Sequence, residues 1–224
     1  VQGLDIGYMV GLMPVILSYV PLTLAMASVA MVCALVLSAL LAVERVVRVP
    51  ILDWLVIVFI SFFRGTPLLV QLFLFYYGLP QVLSVLTRID GVTAAILGLM
   101  LHFAAYMAES IRAAIISVDR SQWEAGQSIG MTQWQLMQRI ILPQAARVAA
   151  PTLVNYFIDM LKATSLAFTL GVTEMMGAAQ KEAAGSFLYF EAFLVVAVIY
   201  WGMVEALNQG QKVLETYLDK AYAR

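Results

Sequence analysis

Chemistry-bearing side chains are scarce in this chain. One cysteine, Cys33, and one histidine, His102, occur among 224 residues. An intrachain disulfide is therefore excluded, and single copies of each residue argue against a His/Cys metal site or a thiol enzyme. Cys33 lies inside an apolar run and reads as a small buried apolar residue. Charged residues make up only 12% of the sequence, about half the share of a soluble globular domain. The net charge of −1 leaves no basic surface for nucleic acid. The phosphate-loop pattern G-x4-G-K-[ST] is absent, so any ATP hydrolysis has to reside on another subunit. A basic segment followed by an apolar stretch and a small-residue cleavage site is also missing, and a secretory signal is not expected.

What the chain has is apolar length. Hydrophobic residues account for 62% of it, and the mean hydropathy is +0.89. Runs long enough for a bilayer crossing of about 20 residues cover approximately 14–43, 53–78, 92–117, 148–171 and 187–207. These predict an all-α integral membrane protein with about five transmembrane helices in a single domain, 1–224. The first run exceeds an upright crossing, which points to tilt or an interfacial start around Pro14 and Pro21. Residues 1–12 read as a short lead, the stretch with Glu174, Lys181, Glu182 and Gly185 as a loop, and the end of the chain as an amphipathic tail.

Charge placement orients such a bundle. Five crossings put Arg45, Arg48, Arg112, Arg120, Arg139, Arg147, Lys212, Lys220 and Arg224 on one side, with Arg88 and Lys181 on the other. The positive-inside rule then predicts an outside N-terminus and an inside C-terminus.

Two cations and several polar groups fall within the runs. Arg64 sits near the middle of the second, where a charge costs roughly 2.5–3.5 kcal/mol unless protein or water covers it. Gly65-Thr66-Pro67 follows at once and should break the helical ladder. Broken backbone at membrane depth is tolerated only beside protein or a cavity. Arg64 either faces a pathway or ties down a carbonyl or a structural acid at the kink. His102, Tyr106 and Glu109 recur at i, i+4, i+7 on one helical face, and Glu109 with Arg112 forms either a local ion pair or part of a passage. Asn155, Asp159 and Lys162 repeat that spacing, as an internally neutralised stripe or as a polar wall.

Between the third and fourth runs lies a polar insert, 119–143. Ser121 with Glu124 fits a capping box, and Thr132 with Gln135 repeats it. Gly130 stands where a left-handed residue would end the first helix. The insert predicts helix, tight corner, helix, with Leu142-Pro143 stopping the second helix.

Four stretches carry a family resemblance. Glu124-Ala125-Gly126, Gly130 and Leu142-Pro143 resemble the EAA loop, E-A-A-x3-G-x9-I-x-L-P, of membrane subunits in ABC importers, with Gly126 in place of the third alanine. FFRGTPLLVQLFLFYYGLP resembles the segment shared by permeases for polar amino acids. AAYMAESIRAAI is similar to A-A-Y-x-A-E-x-x-R-G, with Ala113 for the glycine, and LKATSLAFTLGVTEM to K-x-T-S-L. The resemblance spans about residues 17–210 and implies a type I ABC importer permease of the histidine, glutamine and arginine type in the bacterial cytoplasmic membrane. It further implies two ATPase subunits that hold ATP and Mg, a second permease subunit (self or close relative), and an extracytoplasmic amino-acid-binding protein. No catalytic residue, metal or cofactor is expected in this chain. The first helix of the insert would be the coupling helix, with Glu124, Ala125, Gly126, Gly130, Leu142 and Pro143 as its residues. For the substrate passage the candidates are Arg64, Thr66, Tyr106, Glu109, Asn155, Asp159 and Lys162, with charge complementarity directing Arg64 and Lys162 toward a carboxylate and Asp159 or Glu109 toward an amino group.

Rival classes fit less well. A gradient-driven carrier or channel would also bury charges, yet secondary carriers usually carry internal repeats, and none is visible. A membrane enzyme would need an acid/base pair, but Glu109 and His102 stand two turns apart, about 10 Å along the axis.

Overall fold

The computed structural model describes residues 3–83 and 88–220, with side chains through residue 216. Arg224, counted in the charge balance above, lies outside the described residues, as does the side chain of Lys220. Every element among the described residues is helical. The α-helices are α1 (Ile6–Leu17), α2 (Val20–Val47), α3 (Pro50–Gly65), α4 (Leu68–Phe73), α5 (Leu79–Val82), α6 (Gly91–Ile116), α7 (Arg120–Ser128), α8 (Gln133–Leu136), α9 (Leu142–Ala163), α10 (Met175–Ser186) and α11 (Tyr189–Lys220). Wide π turns at Leu74–Gly78 and Met137–Ile141 join α4 to α5 and α8 to α9, and a 3-10 segment, Thr164–Leu170, extends α9.

Three helices, α2, α6 and α11 through Thr216, are each long and apolar enough to cross a membrane, and the bent pair α3 with α4–α5 makes a fourth candidate. Helix α9 has the length, at 22 residues, but carries Arg147, Asp159 and Lys162.

Helix α6 is the hub, packing against α2, α9, α3 and α4. Small residues permit this. Ala27, Ala30, Ala34 and Ser38 form a buried stripe on α2; Ala94, Ala95, Gly98, Ala104, Ala105 and Ala108 are buried on α6. Lipid supplies no hydrophobic drive between helices, so close backbone approach and dispersion hold them together. A Cβ at Gly98 would come within 2.4 Å of Leu72 Cδ2, which records how tightly α4 lies on α6.

The break expected after Arg64 is a sharp one: α3 and α4–α5 meet at a 111° bend, because Pro67 has no N–H to continue the ladder. Four expectations need correction. Cys33 is exposed rather than buried. The stretch after Glu174 is the helix α10 rather than a loop. Glu174 is fully buried and caps it, accepting from the backbone N–H groups of Met176 at 2.9 Å and Gly177 at 2.8 Å and from the Tyr200 hydroxyl at 3.1 Å. The lead is the helix α1, whose Leu12 and Ile16 pack with Ala179, Ala183 and Val195 of α10 and α11. The amphipathic tail continues α11 without interruption to Lys220.

The first turn of α10 is pressed against the chain that precedes it. A Cβ at Gly177 would lie 2.5 Å from the Val172 carbonyl oxygen, whereas one at Gly185 meets nothing within 4 Å. Gly177→Ala should therefore destabilise the protein by about 1–3 kcal/mol, read as earlier thermal loss of the monodisperse peak in detergent. Gly185→Ala should leave that transition unchanged or raise it slightly.

Candidate functional site

The polar insert is a corner built from local hydrogen bonds. Asp119, not Ser121, caps α7: its carboxylate accepts from the Ser121 backbone N–H at 2.8 Å, and that bond holds the carboxyl below the usual carboxylate range. The acid two residues upstream has the shorter reach to the free N–H groups and displaces the serine. Glu124 instead faces Arg120, Oε1 to Nε 3.2 Å, in an exposed i, i+4 pair. At the far end Gly130 takes φ 77°. Its N–H donates to the Gln127 carbonyl at 3.0 Å and that of Met131 to the Gly126 carbonyl at 3.1 Å, the paired bonds of a Schellman motif. The Thr132–Gln135 capping box then starts α8, with bonds of 3.0 and 3.3 Å.

Gly126 is buried where α7 crosses α8. A Cβ there would fall 2.4 Å from Leu136 Cδ1, which accounts for glycine in place of the third alanine. Ala125 and Glu124 point outward, and Ile129 and Trp134 are among the most exposed apolar side chains. Leu136, Met137 and Ile141 face inward, packing on Ala114, Ile115 and Val118 at the end of α6 and on Ala145 and Ala149 of α9. The corner is thus fastened to two long helices.

Leu142-Pro143 does not stop the second helix. The chain runs from α8 through the π turn into α9 with Pro143 in its first turn, and the Leu142 N–H donates to the Met137 carbonyl. Widening the ladder by one residue at the turn accommodates a ring that lacks an N–H, and proline is well tolerated at a helix start.

A second polar region surrounds the break between α3 and α4. In an uninterrupted helix Phe62 and Phe63 would give their carbonyls to the N–H groups of residues 66 and 67. Here the Thr66 hydroxyl donates to the Phe62 carbonyl at 2.8 Å, and Gln71 Nε2 lies 3.0 Å from the Phe63 carbonyl, 3.1 Å from the Thr66 carbonyl and 2.8 Å from Thr66 Oγ1. Gln71 is fully buried. The Arg64 carbonyl accepts from the Tyr106 hydroxyl at 3.3 Å, and the Arg64 guanidinium lies over the Tyr106 ring, 5.4 Å from its centroid, a cation–π geometry. The Arg64 backbone is tied at the kink by Tyr106, while its side chain is exposed on a cleft of about 290 Å³ shared with Arg45, Ser61 and Glu109.

Glu109 is already partnered. Its Oε2 accepts from Arg112 Nη2 at 2.7 Å and Nε at 3.1 Å, Oε1 lies 4.0 Å from Arg45 Nε, and Arg45 closes on Asp53. This chain of four charges joins α2, α3 and α6 at one end of the bundle. On α9, Lys162 Nζ sits 2.8 Å from Asp159 Oδ1, both side chains about half exposed, with Asn155 exposed on the same face. The structure therefore brings Arg64, Thr66, Tyr106 and Glu109 together and leaves Asn155, Asp159 and Lys162 as a separate patch. Tyr156 of α9 packs toward α6, its ring 6.4 Å from that of Tyr106 and its hydroxyl 3.0 Å from Ser110 Oγ.

Sequence reasoning missed Gln71, Arg45, Asp53 and Tyr156. Gln71 is the only one with a local signal, a lone amide four residues after the proline that breaks the ladder.

The comparisons with known proteins fall on the whole chain. The relative "Probable amino-acid ABC transporter permease protein PatM" of Vibrio harveyi is 60% identical over 223 residues, 100% of both chains. "Probable amino-acid permease protein YxeN" of Bacillus subtilis (strain 168) is 46% identical over 98% of both. A solved structure titled "Crystal structure of an amino acid ABC transporter with histidines" superposes with a TM-score of 0.89 at 31% identity, covering 96% of this chain and 100% of that one. Residues 34–219 match the profile of the family described as "Binding-protein-dependent transport system inner membrane component", and the chain belongs to that family of transport subunits.

Proposed function

We propose that this chain is the membrane subunit of an ATP-driven importer of polar amino acids, with α7 and its corner as the element that receives motion from a separate ATPase. The observation that carries this is the fastening of the corner by Leu136, Met137 and Ile141 to the ends of α6 and α9. A displacement of α7 is thereby delivered to the two helices that carry Tyr106 and Asp159. Glu124 and Ala125 offer the outward contact, Gly126 the close crossing, Gly130 the turn, and Leu142-Pro143 the continuous path into α9. The names of the relatives support the amino acid class.

The half-exposed Asp159–Lys162 pair on a membrane helix requires protein or water over it. A second permease subunit, either another copy or a close relative, supplies that cover, and the enclosed space is the passage. Arg64 and Lys162 face the substrate carboxylate and Asp159 its amino group; Glu109, held by two guanidinium groups, keeps the cleft in shape. An inside corner and an outside N-terminus follow from the positive-inside count, with a binding protein delivering cargo on the outer side.

The direct test reconstitutes the chain in lipid with its ATPase and measures hydrolysis while candidate binding proteins, loaded in turn with basic, acidic, amide and sulfur-containing amino acids, are supplied. Stimulation by one loaded protein is expected; absence of any bound ATPase would overturn the reading. Gly130→Val places a β-branched residue in the left-handed region, costing about 1–2 kcal/mol. It should preserve basal hydrolysis but lose uptake, and normal coupling in that variant would remove the corner from the mechanism. Asp159→Ala leaves Lys162 unpaired and should cut uptake at least tenfold or change which amino acid is preferred. Unchanged uptake and preference would remove Asp159 from the passage.

A further inference from the structure

Gln71 carries no charge and reaches no open surface, yet more polar contacts converge on it than on any residue of the passage. Its amide nitrogen faces three oxygens, the carbonyls of Phe63 and Thr66 and the Thr66 hydroxyl. Only the NH2 end can meet those carbonyls, so the orientation of the amide follows from chemistry. Gln71 Oε1 is then turned toward His102 Nδ1, 3.1 Å away on α6. An amide oxygen only accepts, so His102 must carry its proton on Nδ1 and donate.

The result is a strut from α6 through Gln71 to the last turn of α3. His102 orients Gln71; Gln71 holds the two carbonyls and the hydroxyl that bracket Arg64 in the chain, at residues 63 and 66. One turn along α6 from His102, Tyr106 grips the Arg64 carbonyl and underlies its guanidinium, and the His102 and Tyr106 rings lie 5.1 Å apart. A broken helix end has no ladder of its own to fix its direction. Without the strut, the backbone of residues 63–66 would have to find other donors, and the direction of the Arg64 side chain would change with it.

We infer that Gln71, oriented by His102, is a positioning residue that sets the direction of Arg64 into the passage. This rests on the reading of Arg64 as a passage residue given above. The role is separable from general stability because it acts through a single side chain, so losses at positions 71 and 64 must not multiply.

The test is a double-mutant cycle on the complete transporter, permease with its ATPase and loaded binding protein, in proteoliposomes. Gln71→Met keeps length and volume but has no amide. It is expected to assemble, to hydrolyse ATP without binding protein at a rate within twofold of the unaltered complex, and to lower amino acid uptake at least tenfold. Arg64→Ala is expected to lower uptake comparably, and the double variant to be no worse than Arg64→Ala alone. A double variant whose loss is the product of the two single losses would overturn the inference, as would normal uptake by Gln71→Met. If Arg64→Ala alone transports normally, the passage reading of Arg64 fails first and the inference falls with it. Should Gln71→Met not assemble, Gln71→Asn, whose amide stops one methylene short of the carbonyls, carries the same cycle with the same outcomes.

Discussion

A backbone carbonyl or N–H exposed to lipid costs several kcal/mol, so every interruption of helix in this chain has to bring its own polar partner. The partners can be named one by one. Where α2 turns into α3, Glu44 accepts from the Val49 N–H at 3.0 Å. Where α3 breaks, Thr66, Gln71 and Tyr106 donate to the carbonyls of residues 62, 63 and 64. At the start of α6 Asp90 accepts from the Thr93 N–H, and at the start of α10 Glu174 receives two N–H groups. Several polar residues of an apolar chain are therefore committed to its discontinuities. In the proposed function two of these places, the break beside Arg64 and the corner at Gly130, are the ones that matter.

The small-residue seam between α2 and α6 is the rigid counterpart of these joints. Alanines at helical spacing on both helices let the backbones approach without interlocking long side chains, and the remaining elements dock on this pair. The break in α3–α4 rests on α6 through Leu72 and Gly98, and the corner of α7–α8 rests on the opposite end of the same helix through Ala114 and Ile115. A single helix thus touches both polar regions, which is a physical route between them that needs no diffuse propagation through the bundle.

How much of this was legible in the sequence depended on the range of the signal. The break at Gly65-Thr66-Pro67 and the turn at Gly130 are short-range consequences of proline and glycine, and they could be read. The Ser121 cap was misplaced because Asp119 offers the same chemistry two residues earlier. Pro143 misled for another reason: a proline in the first turn of a helix and one that ends a helix leave the same local mark, and only the π turn before it decides. The Glu109–Arg112 pair, three residues apart on one helix, was legible, but Gln71 and the links from Glu109 through Arg45 to Asp53 were invisible because the partners lie 31 residues away for Gln71 and His102 and 8 for Arg45 and Asp53, on elements whose packing no local pattern encodes. Glu174 looked like a loop acid because a buried carboxylate that caps a helix and one that faces water are the same letter.

The two charge clusters of the spans differ in how firmly they are held. Glu109 is embedded in a four-member chain on three helices, and withdrawing any partner would leave a half-buried charge uncompensated, so this cluster resists change. Among the described residues, Asp159 and Lys162 are paired with each other, on one turn of α9, with about half of each side chain uncovered. A pair of that kind can open toward a zwitterion at little electrostatic loss, since the incoming carboxylate and ammonium replace the partners that each side chain gives up. Helix α9 is also the one that continues without a stop from the corner, through Pro143, to this pair. Under the proposed coupling, the less firmly held charges would lie on the element that continues from the corner, and the locked ones on the helices it packs against.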